Sequence, residues 1–241
     1  MSHYPVHYLL REVYKRTNLT VQQGPFTGLR YARPEGNAVS AKLLGLYEKE
    51  LYSIFAELQD TAPWTVLDIG SAEGFFSLGL ARFSSVRRVI SFEMLEAARQ
   101  LQTANARLNR LEDKVALHGE CTDEQLQAAL SEINLDEKLF VLCDVEGCEG
   151  VLLDPGNHPR LKAAHILVEV HDILQPGIAS LLTGRFEHTH TIHRIDAVPR
   201  KCSDYPYAAW HRHFFKDFYY ECVVSDLRPE GMFWYWMVPR P

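Results

Sequence analysis

From Trp64 onward the chain alternates short apolar runs with stretches of helical spacing, and few folds accommodate that alternation. "WTVLDIG" is followed by Phe76, Leu80 and Phe83 at helical spacing, and "RRVISFE" by Leu101, Ala104 and Leu108. "KVALHG" leads to a helix opened by a capping box at Thr122 and Gln125; "KLFVLCDVEG", a short helical turn and "HILVEVHD" follow. Consecutive strands separated by helices are parallel, and their crossovers are right-handed, so the pattern predicts a doubly wound α/β domain with a mostly parallel sheet. Beyond Asp172 the spacing predicts a short helix near Ile178 to Leu182 and a strand at "THTIHRI". An aromatic terminal strand, "GMFWYWMVP", is opened by a turn at Pro229-Glu230-Gly231.

Ahead of this pattern lie two amphipathic stretches. Val6, Leu9, Leu10, Val13 and Tyr14 make one; Leu44, Tyr47, Leu51, Ile54, Phe55 and Leu58 make the other. The Gly- and Pro-rich "QQGPFTGLRYARPEGN" joins them as a loop or short hairpin. Residues 1–62 are therefore expected to form an N-terminal helical cap on a main domain of residues 63–241. The Pro-, Tyr- and His-rich piece 199–218 is an insertion, read as a packed surface loop rather than a lid. With 241 residues, 46% of them hydrophobic, one large core is enough.

Twenty-five Lys and Arg against thirty-one Asp and Glu leave a formal charge of −6, which argues against a nucleic-acid backbone as the main partner. No apolar run approaches the ~18 residues of a spanning helix, and the first residues lack a secretory signal, so a cytoplasmic protein with no membrane partner is expected. Five cysteines without a C-x-x-C pair suggest neither a disulfide framework nor a thiolate zinc site. Self-association is left open.

The chemistry concentrates in "VLDIGSAEGFF". In a doubly wound sheet, ligands sit beyond the carboxyl ends of the strands, where the first turn brings a helix N-terminus and bare backbone close to them. Gly70 and Gly74, with Ser71 and Glu73 between, occupy that turn, and Asp68 ends the strand. The next strand ends in Glu93, placed to accept the hydroxyls of a ribose. Alanine at position 72 replaces the glycine that admits a pyrophosphate in dinucleotide sites, and Glu73 adds negative charge there. S-adenosylmethionine, which carries a sulfonium and an amino group and no phosphate, suits these carboxylates better.

"VLDIGSAEGFFSLGLA", "VISFEM", "LCDVEGCEGVLLD" and "ILVEVHD" together resemble the class I S-adenosylmethionine-dependent methyltransferases, and within them the FkbM-like group. The group's motifs run D-x-G-x-x-x-G, F-E, D-V-E-G-x-E and V-E-x-H; the resemblance covers Trp64 to Asp172 and departs at Glu73, where the group more often has asparagine. It implies a Rossmann-like fold. It also implies that Asp68, Gly70 and Gly74 hold the methionine end of the cofactor, Glu93 the ribose, and Met94 the adenine, which Gly119, Glu120 and Cys121 would border.

A second acidic cluster follows the fourth and fifth predicted strands: Asp144, Glu146 and Glu149, then Glu169, His171 and Asp172. Three readings stay open. Asp144, Glu169 and His171 could hold Mg²⁺, Mn²⁺ or Fe²⁺, as ligands after the same strands do in the catechol-type O-methyltransferases that this cluster resembles. His171 could instead be a general base oriented by Asp172 or Glu169. Alternatively, Glu146 and Glu149 only cap the next helix, and His171 is structural. The expected activity is methyl transfer to an oxygen of a small-molecule or sugar-like acceptor, with His171 and Asp144 as catalytic candidates; the alternatives are a non-catalytic nucleoside-binding protein and an NAD-dependent oxidoreductase. His188, His190 and His193 read as surface histidines of one strand; His211 and His213, with Trp210, read as pocket lining or loop packing, and Tyr47 as core.

Overall fold

The computed structural model describes all residues except 1–3, 61–62, 208–209 and 229–230. The expected boundary at residue 62 and the first two residues of the turn at Pro229-Glu230-Gly231 lie outside the described residues. In chain order the helices and strands are α1 (Tyr4–Thr17), α2 (Val39–Leu44), α3 (Tyr52–Asp60), β1 (Trp64–Ile69), α4 (Phe75–Ala81), β2 (Val86–Phe92), α5 (Glu96–Asn109) and β3 (Val115–His118). They continue as α6 (Asp123–Ser131), β4 (Lys138–Cys143), α7 (Glu149–Leu152), β5 (His165–Val170), α8 (Ile178–Phe186), β6 (His190–Asp196), α9 (Asp217–Val224) and β7 (Phe233–Pro239).

Among the described residues the seven strands form one sheet in the order β3-β2-β1-β4-β5-β7-β6. The first five are parallel: Leu67 of β1, for example, faces Ile90 of β2 and Val141 of β4. β7 runs antiparallel to both β5 and β6. Every residue of β1 is buried, as its unbroken apolar character requires of a central parallel strand covered on both sides. The doubly wound reading holds, and the capping box forms between Thr122 and Gln125.

Each face of the sheet carries its own core. Leu67, Ile69, Ile90 and Ile166 pack beneath Leu126, Leu182 and Phe186 on one face. On the other, Val66, Phe140 and Trp234 share a core with Leu9, Val13, Leu43, Phe55 and Leu80, so the N-terminal helices cover the sheet instead of standing apart from it. Phe26, from the loop between α1 and α2, lies 5.0 Å from Phe55, 5.2 Å from Phe75 and 5.8 Å from Phe83, centroid to centroid.

The apolar spacing from Leu44 to Leu58 predicts one helix, and the structure breaks it. Gly45 ends α2 with φ +66°, where a Cβ would lie 2.3 Å from the Gln23 carbonyl oxygen; Glu48 follows with φ 46°, and a 3₁₀ turn at Lys49–Leu51 leads into α3. The break carries Tyr47 and Glu48 toward the ends of β4 and β5 instead of along a helix. Tyr47 is half-buried, its ring 5.4 Å from Phe75.

The described part of the insertion holds two 3₁₀ turns, at Cys202–Asp204 and Trp210–His213, the second packed on α1, and runs into the start of α9. His211 is fully buried, with Nδ1 2.7 Å from the Tyr220 hydroxyl and Nε2 3.0 Å from Glu12 Oε2, which also accepts from the Tyr205 hydroxyl at 2.6 Å. His190 is a correction to the surface reading: it is buried, with Nε2 2.9 Å from the Ala164 carbonyl oxygen, while His188 and His193 are exposed.

Candidate functional site

Two groups of side chains meet at the carboxyl end of the parallel strands. The first surrounds the turn after β1. Gly70 has φ +86°, and a Cβ there would lie 1.8 Å from the Asp144 carbonyl oxygen, so the close approach of β1 and β4 admits no other residue. The amides of Gly70 and Ser71 both donate to the Phe92 carbonyl at 2.9 Å, which fixes the turn against β2. Asp68 is fully buried. Its Oδ2 accepts from the Ser77 hydroxyl, and its Oδ1 is left without a hydrogen-bond partner. Burial, opposed by the Ser77 hydrogen bond and reinforced by Asp144, pushes the Asp68 carboxyl up to about 7.

Glu93 is buried at the end of β2, its oxygens accepting the amides of Ala72 at 2.8 Å and Leu95 at 2.7 Å. Each carboxylate oxygen has a second lone pair, so capacity for a ribose hydroxyl remains. Beside it Met94 and Leu95 are exposed, and the space next to Gly119 is open, with no atom within 4 Å of where a Cβ would stand. Glu120 is exposed on the same rim.

Two residues of the turn are not placed as the sequence suggests. The Ser71 hydroxyl donates to Gln102 Oε1 at 2.8 Å and accepts from Ser91 at 3.0 Å, so it braces the turn internally. Glu73 is buried, and its Oε1 accepts from the Lys42 ammonium and, at 3.1 Å, from the Tyr31 hydroxyl. Its charge is answered by the N-terminal segment and is not offered to a ligand. A diphosphate would therefore not be repelled by Glu73, contrary to the expectation from sequence. Nothing in the sequence pairs Lys42 with a residue thirty-one positions away.

The second group lies where β4 and β5 end. Among the described residues Asp144, Glu169 and His171 bring one donor atom each within 4.8 Å of one another. His171 Nε2 stands 3.7 Å from both Asp144 Oδ1 and Glu169 Oε2. Its Nδ1 pairs with Glu149, a fully buried carboxylate whose Oε2 has no hydrogen-bond partner. Burial works against a charged imidazole, but the Glu149 hydrogen bond and the surrounding carboxylates outweigh it and hold His171 above its ordinary range. Glu149 is thus more than a helix cap. Asp172 is not the orienting group: its Oδ1 accepts the amides of Gly177 at 3.0 Å and Ala179 at 3.1 Å and so opens α8. Burial and then Asp144 push Glu169 up to about 10.

Arg228 and Glu48 complete this group, and the sequence carried no signal for Arg228. Arg228 Nη2 lies 2.8 Å from Glu169 Oε1 and 3.2 Å from Glu48 Oε1, with its guanidinium 5.2 Å from the centre of the Trp234 ring. Burial, against the pull of Arg228, raises Glu48 to about 8. A cavity of about 390 Å³ elsewhere, lined by Gln127, Leu130, His158 and Arg160, lies before β4 and β5, at the opposite end of the sheet. Arg160 there binds the carbonyls of Asn134, Leu135 and Glu137, which is a structural role.

No protein-family model matches the chain, and no curated protein matches it in sequence. Among solved structures, an rRNA methylase from Streptococcus thermophilus superposes with a TM-score of 0.52 at 10% identity, over 80% of this chain and 98% of that one. The chain has the class I methyltransferase fold. An O-methyltransferase from Bacillus cereus in complex with SAH gives a TM-score of 0.46 at 15% identity, over 79% of this chain and 84% of that one. No helix among the described residues is long and apolar enough to cross a membrane.

Proposed function

We propose that the chain is an S-adenosylmethionine-dependent methyltransferase of the FkbM-like group, transferring a methyl group to an oxygen of a small-molecule or sugar-like acceptor. The observation that carries this reading is the fully buried, unpartnered Asp68 Oδ1 at the foot of the glycine turn after β1, a carboxylate oxygen that asks for a donor from a ligand. Glu93, Met94 and the open space at Gly119 supply a ribose acceptor and an apolar rim in the adjoining position. The strand order speaks against the oxidoreductase alternative. Dinucleotide domains run 3-2-1-4-5-6, whereas here an antiparallel β7 lies between β5 and β6.

Methyl transfer needs little beyond alignment of an oxygen lone pair with the methyl–sulfur bond, because the sulfonium is already a good leaving group. The Asp144, Glu169 and His171 donors fit a divalent cation: an imidazole fixed by a carboxylate on its far nitrogen faces two carboxylates that burden each other. A cation bound there would lower the pKa of an acceptor hydroxyl. His171 would serve it as the neutral ligand, with Glu149 holding the ring. A second reading, favoured by the same Glu149 contact, has no cation, and His171 Nε2 takes the hydroxyl proton.

Labelled methyl transfer across a panel of hydroxylated small molecules and sugars tests the reading. Label on an acceptor oxygen is expected, and hydride exchange with NAD in its place would overturn it. Elemental analysis of protein purified without chelator, repeated for Asp144→Ala, decides between the two versions: ion content that survives this substitution ends the cation.

A further inference from the structure

Six carboxylates, Glu48, Glu50, Asp144, Glu149, Glu169 and Asp226, crowd together against two guanidiniums, those of Arg200 and Arg228. Arg200 is committed, bound at 2.7 Å to both Glu50 and Asp226 and at 2.7 Å to the Leu46 carbonyl. Arg228 is not. It sits within ion-pair distance of both Glu48 and Glu169, yet neither of its terminal nitrogens makes a hydrogen bond of good geometry, and both oxygens of the fully buried Glu48 are without a hydrogen-bond partner. A guanidinium docked well on one carboxylate makes two parallel hydrogen bonds. This one is suspended over the Trp234 ring between Glu169 and Glu48, with Glu50 Oε1, whose carboxylate Arg200 already holds, farther off at 3.8 Å from Nη1.

We propose that Arg228 is a movable counter-ion shared between Glu169 and Glu48, which passes to Glu48 when a divalent cation takes Glu169. The inference rests on the cation version of the function proposed above. Glu169 cannot serve a cation fully while a guanidinium lies 2.8 Å from its Oε1, because the two positive charges compete for the same group. The unpartnered oxygens of Glu48 are the waiting acceptor, reached by a shift across the Trp234 face, with no change of fold. Arg228 is thereby a positioning residue. Because Glu48 belongs to the break between α2 and α3, occupancy of the cation site would be felt by the segment that also carries Tyr47.

Mn²⁺ alone, added to chelator-stripped protein and followed by the paramagnetic resonance of the free ion, reads the exchange without any acceptor. Arg228→Gln removes the competitor and should bind Mn²⁺ about tenfold more tightly than the wild type. Glu48→Gln removes the place to which Arg228 retreats and should bind about tenfold more weakly. The double variant separates an exchange from a simple sum of charges: with no arginine to house, Glu48→Gln should have little effect, so the double variant should match Arg228→Gln. Additive effects of the two substitutions, or a Glu48→Gln variant that binds as the wild type does, overturn the inference and leave the cation site standing. Absence of Mn²⁺ binding in the wild type and all variants overturns the cation reading, and the inference with it. Should Arg228→Gln fail to fold, Arg228→Met, alone and combined with Glu48→Gln, supplies the same comparison, and a Glu48→Gln variant that binds as the wild type does still overturns the inference.

Discussion

Asp68 and Gly70 show how much a buried strand end and a tight turn ask of single positions. Gly70→Ala would set a methyl group against the Asp144 carbonyl in a left-handed conformation; a loss of about 2–3 kcal/mol in urea unfolding is expected, together with loss of cofactor binding. Asp68 carries a pH signature. Its folded-state pKa, about 7, lies above the ordinary aspartate range, so the folded protein holds this proton more tightly than the unfolded chain does. Its contribution to stability is complete only below the ordinary range and is lost as pH rises through about 7. The permanently neutral Asp68→Asn should therefore gain more in Tm over the wild type at pH 8 than at pH 5, by about 3 °C or more, while binding the cofactor less well. The placement of Asp68, Gly70, Gly74 and Glu93 at strand ends and in the first turn was legible because such features are written locally. Glu73 was misread because its partners, Lys42 and Tyr31, come from a distant segment. For the same reason the orienting carboxylate of His171 proved to be Glu149 on α7 and not the adjacent Asp172.

The helices before β1 join the site to the rest of the core. α2 delivers Lys42 to Glu73, Asn105 of α5 donates to the Glu73 carbonyl at 3.0 Å, and Tyr31 closes the same contact from the loop. Lys42→Met would leave the buried Glu73 charge without its counter-ion, held only by the Tyr31 hydroxyl, a loss of about 3–5 kcal/mol. Pairing it with Glu73→Gln should restore most of that stability, which urea unfolding of the single and double variants would measure. The break at Gly45 escaped the sequence reading because the apolar spacing runs straight through it. What ends α2 is the left-handed turn at Gly45 and its contact with the Gln23 backbone, and periodicity records neither.

The molecule as a whole is a parallel sheet with an antiparallel strand inserted near one edge. The parallel part was legible in the alternation of apolar runs and helices, since the connections leave little choice. The place of β7 was not, because an aromatic terminal strand fits either edge, and its pairing between β5 and β6 is a long-range contact that local patterning does not record. That placement brings Trp234 and the segment holding Arg228 to the carboxyl end of β5, where the guanidinium meets Glu169. Calorimetric titration with the demethylated product of S-adenosylmethionine, alongside NAD, puts the central claim to its shortest test. One equivalent of the nucleoside thioether should bind with micromolar affinity, with no heat from NAD; a flat titration with the thioether, or binding of NAD in its place, would contradict the account.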